Sequence, residues 1–236
     1  MSTHRYRPRN LQVFLDISTF CNAGCPQCHR TDPNGLGMAK WLNYHQWDFD
    51  TFKNTYRLHE QDREDNIWGV FEFCGTWGDP VMNKDIMKMV EYVVEYSNAK
   101  IYLDTNASIR DEEWWWDLGI AGGKQLTTYF AIDGIDQKMH SHYRRKTELD
   151  KVLKNMKAHS QTLAHTKVKT IVFKHNENYL DDIKDMVFKN GASTIIYTKS
   201  DRFYKHSSVF DFIDENGDAQ VLEKSTIDKK TWQVNK

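Results

Sequence analysis

Short apolar runs alternate with helical patterns from Leu11 to about residue 200. The runs at 11–17, 67–73, 101–104, 128–132, 168–173 and 194–198 are rich in Val, Ile, Phe and Tyr. Runs that are apolar almost throughout suit parallel strands buried on both faces. Between them, Ile86, Val90, Val93 and Val94 recur at helical spacing. So do Leu149, Val152, Leu153 and Met156, and then Leu180, Ile183, Met186 and Val187, each set making one apolar stripe. Asp48 is placed to cap a helix carrying Phe49, Phe52 and Tyr56, and Asp111-Glu-Glu opens another with its anions where the helix dipole favours them. Strands and helices in this order predict an α/β fold built of right-handed βα units. Six strands are two short of a closed eightfold barrel, so the expected architecture is a partial (β/α)6 TIM-like barrel of parallel strands. Residues 1–200 form its core. Residues 201–236 are polar, carry an Asp-Glu-Asn-Gly turn at 214–217, and are expected to pack on or near the core as a short C-terminal extension.

Composition narrows the class. The 236 residues are 39% hydrophobic and 28% charged, which excludes a disordered or collagen-like chain. A formal charge of −1 gives no bulk attraction to nucleic acid or an acidic membrane. The best apolar run, 87–96, is interrupted by Lys88, Glu91 and Glu95, far from the ~20 residues a membrane span needs. The first ten residues are basic but lack the apolar stretch of a secretory signal, so a cytoplasmic location is expected.

In such barrels chemistry sits at the C-terminal ends of the strands. The first strand runs into Cys21-Asn-Ala-Gly-Cys25-Pro-Gln-Cys28, a C-x3-C-x2-C array. Three thiolates this close can wrap one face of an iron–sulfur cluster, with Gly24 permitting the turn and Pro26 stiffening it. Three ligands leave one iron of a four-iron cubane open to bind something else. After the second strand, Cys74-Gly75-Thr-Trp-Gly78-Asp79-Pro80 offers two glycines that let a ligand approach the backbone, and a carboxylate that can accept from an ammonium group; the same residues could simply turn the chain into a helix.

The cysteine loop after strand one of a partial barrel resembles the radical S-adenosylmethionine (SAM) superfamily over residues 11 to about 200. The resemblance implies that Cys21, Cys25 and Cys28 hold a [4Fe-4S] cluster and that the open iron is chelated by the amino and carboxylate groups of SAM. One-electron reduction would then give methionine and a 5'-deoxyadenosyl radical that abstracts a substrate hydrogen. It implies that Gly75, Gly78, Asp79 and Pro80 form the segment holding the SAM amino group. Thr105 and Asn106 would line the SAM pocket, and Asp133-Gly134 with downstream Arg144 would supply a carboxylate partner, an Arg fork matching that geometry. Asn176, after the fifth strand, would stand near SAM or substrate. The chain departs from the pattern at Gln27, where most members carry an aromatic residue, and at Ala107 and Ala131. The substrate, peptide or protein or nucleotide-type, is not written in these motifs.

Two features leave alternatives open. Three cysteines with His29 or Cys74 could instead hold zinc, making a zinc-stabilised, non-catalytic binding protein on the same fold. Cys74 is expected as a small buried thiol and His175 as a surface histidine. Seven Lys and Arg residues between 138 and 157 could dock an acidic electron donor of flavodoxin or ferredoxin type, steer an anionic substrate, or form a solvated face. The three indoles of Trp114–Trp116 point in different directions on a helix, so at least one should be exposed. Within this sequence no cysteine follows Cys74, so no cysteine-rich C-terminal domain with auxiliary clusters is expected in it.

Overall fold

The computed structural model describes residues 9–236, and the reading of the first ten residues falls almost wholly outside them. Each of the six apolar runs is a strand: β1 (Leu11–Leu15), β2 (Trp68–Phe73), β3 (Lys100–Thr105), β4 (Leu126–Ala131), β5 (His165–Val172) and β6 (Thr194–Lys199). They pair in chain order, every neighbour parallel, with no reversal of strand order. That sequence without a switch point is the barrel arrangement, here left open between its edges.

Helices α1 (Phe49–Tyr56), α3 (Ile86–Tyr96), α4 (Glu112–Gly122), α6 (Leu149–Ser160) and α7 (Leu180–Lys189) follow the predicted stripes. Asp48 and Asp111 cap α1 and α4 as expected, accepting from Thr51 N and Trp114 N. Two further helices, α2 (Glu60–Asp65) and α5 (Gln137–Tyr143), lack an apolar period and were not anticipated. The main core lies between sheet and helices, with Phe71, Phe73, Ile101, Leu103 and Phe130 from the strands meeting Phe52, Met89, Val93, Trp115, Val152 and Met156. Of the three indoles, Trp115 is wholly buried and Trp116 is exposed.

Residues 201–236 are more structured than their polarity suggests. Strands β7 (Val209–Ile213) and β8 (Ala219–Glu223) form a hairpin, and β9 (Thr231–Asn235) joins the main sheet antiparallel to β6. Phe212 and Leu222 of the hairpin belong to a second, smaller core with Ala23, Cys25, Leu36, Tyr143 and Phe173. The cysteine loop is therefore packed from outside by the hairpin. No helix among the described residues is long and apolar enough to cross a membrane.

Candidate active site

At the C-terminal ends of the strands, a cavity of about 400 Å³ is lined by Cys21, Cys25 and Cys28 together with Gly75, Gly78, Asp79, Thr105, Asn106 and Arg144. That volume is within the range of small-molecule sites. Most of the sequence-derived candidates thus converge from four separate strand ends. Three do not line it: Pro80 opens a short 3-10 turn, and Asp133 and Asn176 stand behind the wall.

Backbone contacts join the cysteine loop to the segment after β2. Asp79 N donates to Phe20 O at 2.7 Å. A Cβ on Gly78 would fall 2.1 Å from Ser18 O and 2.7 Å from Phe20 O, so only glycine fits there. At Gly75 the nearest atoms to a Cβ would be 3.5 Å away, an ordinary contact. Glycine is thus required at 78 by the close passage of two chain segments. The carbonyls of Gly75, Thr76 and Trp77 accept no hydrogen bond from the described residues and remain available as acceptors.

Asp79 is buried, and its oxygens accept from Thr105 Oγ1 at 3.0 and 3.1 Å, Asn106 N at 2.8 Å, Asn106 Nδ2 at 2.7 Å and Val81 N at 3.1 Å. Burial pushes its carboxyl up to about 6 against these donors. With this many protein partners, Asp79 acts first as a brace between the ends of β2 and β3. Asn106 extends the brace to the cysteine loop, its Nδ2 lying 3.0 Å from Asn22 Oδ1 and 3.6 Å from Cys21 Sγ.

On the opposite wall Arg144, at the end of α5, donates from Nε to Asp133 Oδ2 at 2.5 Å, and its Nη1 lies 3.9 Å from Cys25 Sγ. Asp133 also accepts from Ile171 N at 2.6 Å. Asn176 spends its amide on backbone, donating to Asp133 O and Ile171 O and accepting from Phe173 N. It positions the ends of β4 and β5. Burial pushes the Cys25 thiol up to about 11, opposed by Arg144, and raises Cys21 as well.

Gln27 also has a structural explanation. Its Oε1 accepts from Ser200 Oγ at 2.6 Å, and its carbonyl accepts from Arg202 Nη1 at 3.1 Å, tying the cysteine loop to the chain after β6. Sequence reading missed Arg30, Tyr129, Lys169 and Arg202, all of which line the cavity. Arg30 lies two residues beyond the cysteine motif, a cue that could have been used; Arg202 is brought in from 174 positions along the chain from Cys28 only by the fold.

The alternative zinc ligands do not join this group. His29 rests against Trp77, ring centroids 6.2 Å apart, and Cys74 donates to Glu72 O at 3.5 Å; neither lines the cavity. Among the described residues no three His, Cys, Asp or Glu side chains converge on a single-ion position. The three thiols instead line one concave wall, which fits a multi-iron cluster held on three corners. Two further expectations change: Cys74 is only partly buried, and His175 is packed against Phe173 and His142, centroids 5.6 and 4.5 Å away, where burial lowers it to about 4. The basic stretch is also divided, since Arg144 is internal, Arg145 pairs with Asp214 and Glu215, and Lys146 donates to Leu36 O.

The sequence model of the radical SAM superfamily matches residues 15–187. The chain belongs to the radical SAM superfamily. The superfamily is one of enzymes whose cofactors are a [4Fe-4S] cluster and SAM. No curated protein matches this radical SAM chain. Among solved structures it is similar to Streptococcus suis SuiB bound to the precursor peptide SuiA, at 16% identity and a TM-score of 0.63, over 81% of this chain and 39% of that one. It is similar also to SuiB bound to S-adenosylmethionine, at 15% identity and a TM-score of 0.60, over 85% of this chain and 42% of that one. A third similar structure is anSMEcpe with bound AdoMet and Kp18Cys peptide, at 15% identity and a TM-score of 0.62, over 85% of this chain and 54% of that one. At these identities the likeness is one of fold. The radical SAM chain spans about two fifths of the length of SuiB and about half that of anSMEcpe.

Proposed function

We propose that this chain uses Cys21, Cys25 and Cys28 to hold the cluster and cleaves SAM to begin hydrogen abstraction from a peptide or protein substrate. When bound, the cluster would supply the one electron that cleaves SAM to methionine and a 5'-deoxyadenosyl radical able to take a hydrogen atom from the substrate. The single observation that carries this reading is the convergence of the three thiols with Gly78, Asp79, Asn106 and Arg144 on one cavity.

The protein's part is to bind and orient. The open carbonyls after β2 would accept from the SAM ammonium group, and Arg144, whose guanidinium Asp133 fixes, would pair with its carboxylate. Asp79 holds Thr105 and Asn106, so both strand ends keep their place against the cysteine loop. A core of residues 1–200 carries these groups, and residues 201–236 act as its extension. The peptide substrate is favoured over a nucleotide because SuiB and anSMEcpe, which share the fold, were solved with peptides. The electron comes from a flavodoxin- or ferredoxin-type donor.

The test is anaerobic reconstitution with iron and sulfide, then dithionite and SAM. Deoxyadenosine is expected from the native chain and none from Cys21→Ala. Stoichiometric zinc without iron, and no SAM cleavage, would overturn the reading.

A further inference from the structure

In a closed barrel the inward-facing side chains pack one another; here the inner face of the open sheet is charged and aromatic. Asp104, Tyr129 and Lys169 line the cavity and so mark that face. Lys169 Nζ contacts Asp104 Oδ1 at 2.5 Å and lies 4.1 Å from the centre of the Tyr129 ring. The register carries the face across the neighbouring strands. Two residues before Asp104 on the same side of β3 is Tyr102, which pairs with Glu72 on β2, which pairs with Phe14 on β1. Tyr102 and Tyr129 are in ring contact, 6.0 Å between centroids.

Glu72 is the carboxylate on this surface without an ion pair among the described residues; Lys167, on the same side of β5 as Lys169, is a cation without one, its Nζ lying over the Tyr129 ring at 6.0 Å. Asp104 has Lys169, whereas no hydrogen-bond donor among the described residues reaches the Glu72 carboxylate. Burial and the neighbouring Asp104 charge both push its carboxyl up, in spite of Lys169. On either side stand aromatic rings in register, and one of them, Phe14, is 65% exposed although it is on a strand's inner face. A carboxylate bracketed by two rings on an accessible sheet face matches one chemistry, a cation on an apolar stem, which pairs with the acid and lies along the rings.

We infer that the Phe14–Glu72–Tyr102 row is a specificity subsite that takes the cationic side chain, lysine or arginine, of a peptide substrate. The inference rests on the peptide reading above and adds which residue the peptide presents. Asp104, neutralised by Lys169, and the ring of Tyr129 separate the subsite from the cavity where hydrogen abstraction would occur. The cationic residue is then an anchor beside the reacting residue.

The test is equilibrium binding of blocked pentapeptides Ac-Ala-Ala-X-Ala-Ala-NH2, with X lysine, norleucine or glutamate, to the reconstituted, SAM-loaded protein. Norleucine keeps the apolar stem and removes the charge. Lysine is expected to bind about fivefold tighter than norleucine, the fold-change for roughly 1 kcal/mol of ion-pair and cation–π attraction. Glutamate should bind worst. Glu72→Gln should bring lysine and norleucine level, Glu72→Asp should keep part of the difference, and Phe14→Ala should weaken both. Thermal melts of each variant identify any that is unfolded, and the Asp and Ala variants then carry the comparison. Equal binding of lysine and norleucine, no detectable binding of the lysine peptide, or a preference that survives Glu72→Gln would each overturn the inference. Deoxyadenosine is measured on the same preparation. Cleavage without a lysine preference sinks the subsite and leaves the radical reading standing, and a lysine preference without cleavage does the reverse.

Discussion

Gly78 ties the chemistry of this site to a single missing methyl group. Its Cα passes so close to Ser18 and Phe20 that a Cβ would fall inside their carbonyl oxygens, and the colliding atoms are backbone, which cannot swing aside. The loop with Cys21 begins at Phe20, so any relief of the clash moves a proposed cluster ligand. Gly78→Ala should therefore destabilise the fold by about 1–3 kcal/mol, the usual cost of overpacking. It should also lower iron bound per folded chain. Gly75→Ala, whose Cβ meets nothing nearer than 3.5 Å, is the control and should do neither. Urea melts and iron analysis of both variants check this. A normal melt and full iron content for Gly78→Ala would show that the loop yields without consequence.

At the scale of elements, the histidine on α6 joins three pieces of secondary structure. His159 Nε2 lies 3.0 Å from Thr128 Oγ1 of β4, and its Nδ1 lies 2.8 Å from Thr166 Oγ1 of β5. Burial lowers its affinity for a proton to about 3, as it does for His140, while the unfolded chain titrates near 6.5. A folded-state value below the unfolded one means the unfolded chain takes the proton first on acidification. Stability is then full above about pH 6.5 and falls as pH drops toward 3, by up to about 1.4 kcal/mol per pH unit for each such histidine. His159→Gln should lose stability at pH 8 but show a slope shallower by about one proton between pH 6.5 and 4.5; equal slopes would contradict neutral burial. The strands and striped helices were legible because burial on both faces, or on one stripe, writes itself into consecutive residues. Helices α2 and α5 were not, since Glu60–Asp65 and Gln137–Tyr143 show no apolar period. The same limit applied to the site: three cysteines in eight positions could be read directly, whereas Tyr129, Lys169 and Arg202 become neighbours only when strands far apart in sequence align. Asn176 was placed in the pocket by resemblance, but only the fold reveals that its amide is spent on backbone.

Across the whole molecule, the C-terminal residues serve two different structures. Strand β9 covers the β6 edge, stacking Trp232 on Tyr197 at 5.2 Å, and so completes the sheet. The hairpin instead grips the cysteine loop and its surroundings. Gly35 N donates to Ile213 O at 2.9 Å, Ile213 N donates to Pro33 O at 2.8 Å, and Arg145, whose carbonyl accepts from Gly24 N, pairs with Asp214 and Glu215. Beneath these contacts Phe212 and Leu222 fill the small core that includes Cys25. Leu222 is wholly buried there, and cutting it to alanine should cost roughly 2–5 kcal/mol by opening a cavity. The strain should appear at the loop, because this core is separate from the one between sheet and helices. Leu222→Ala is thus expected to keep the far-ultraviolet dichroism of the sheet while retaining less iron after reconstitution and desalting. Trp232→Ala should do the opposite, lowering the melting temperature through the sheet edge and leaving iron per folded chain unchanged. If both variants lost iron in proportion to stability alone, the two parts of the C-terminal segment would act as one, and the hairpin would have no separate hold on the cysteine loop.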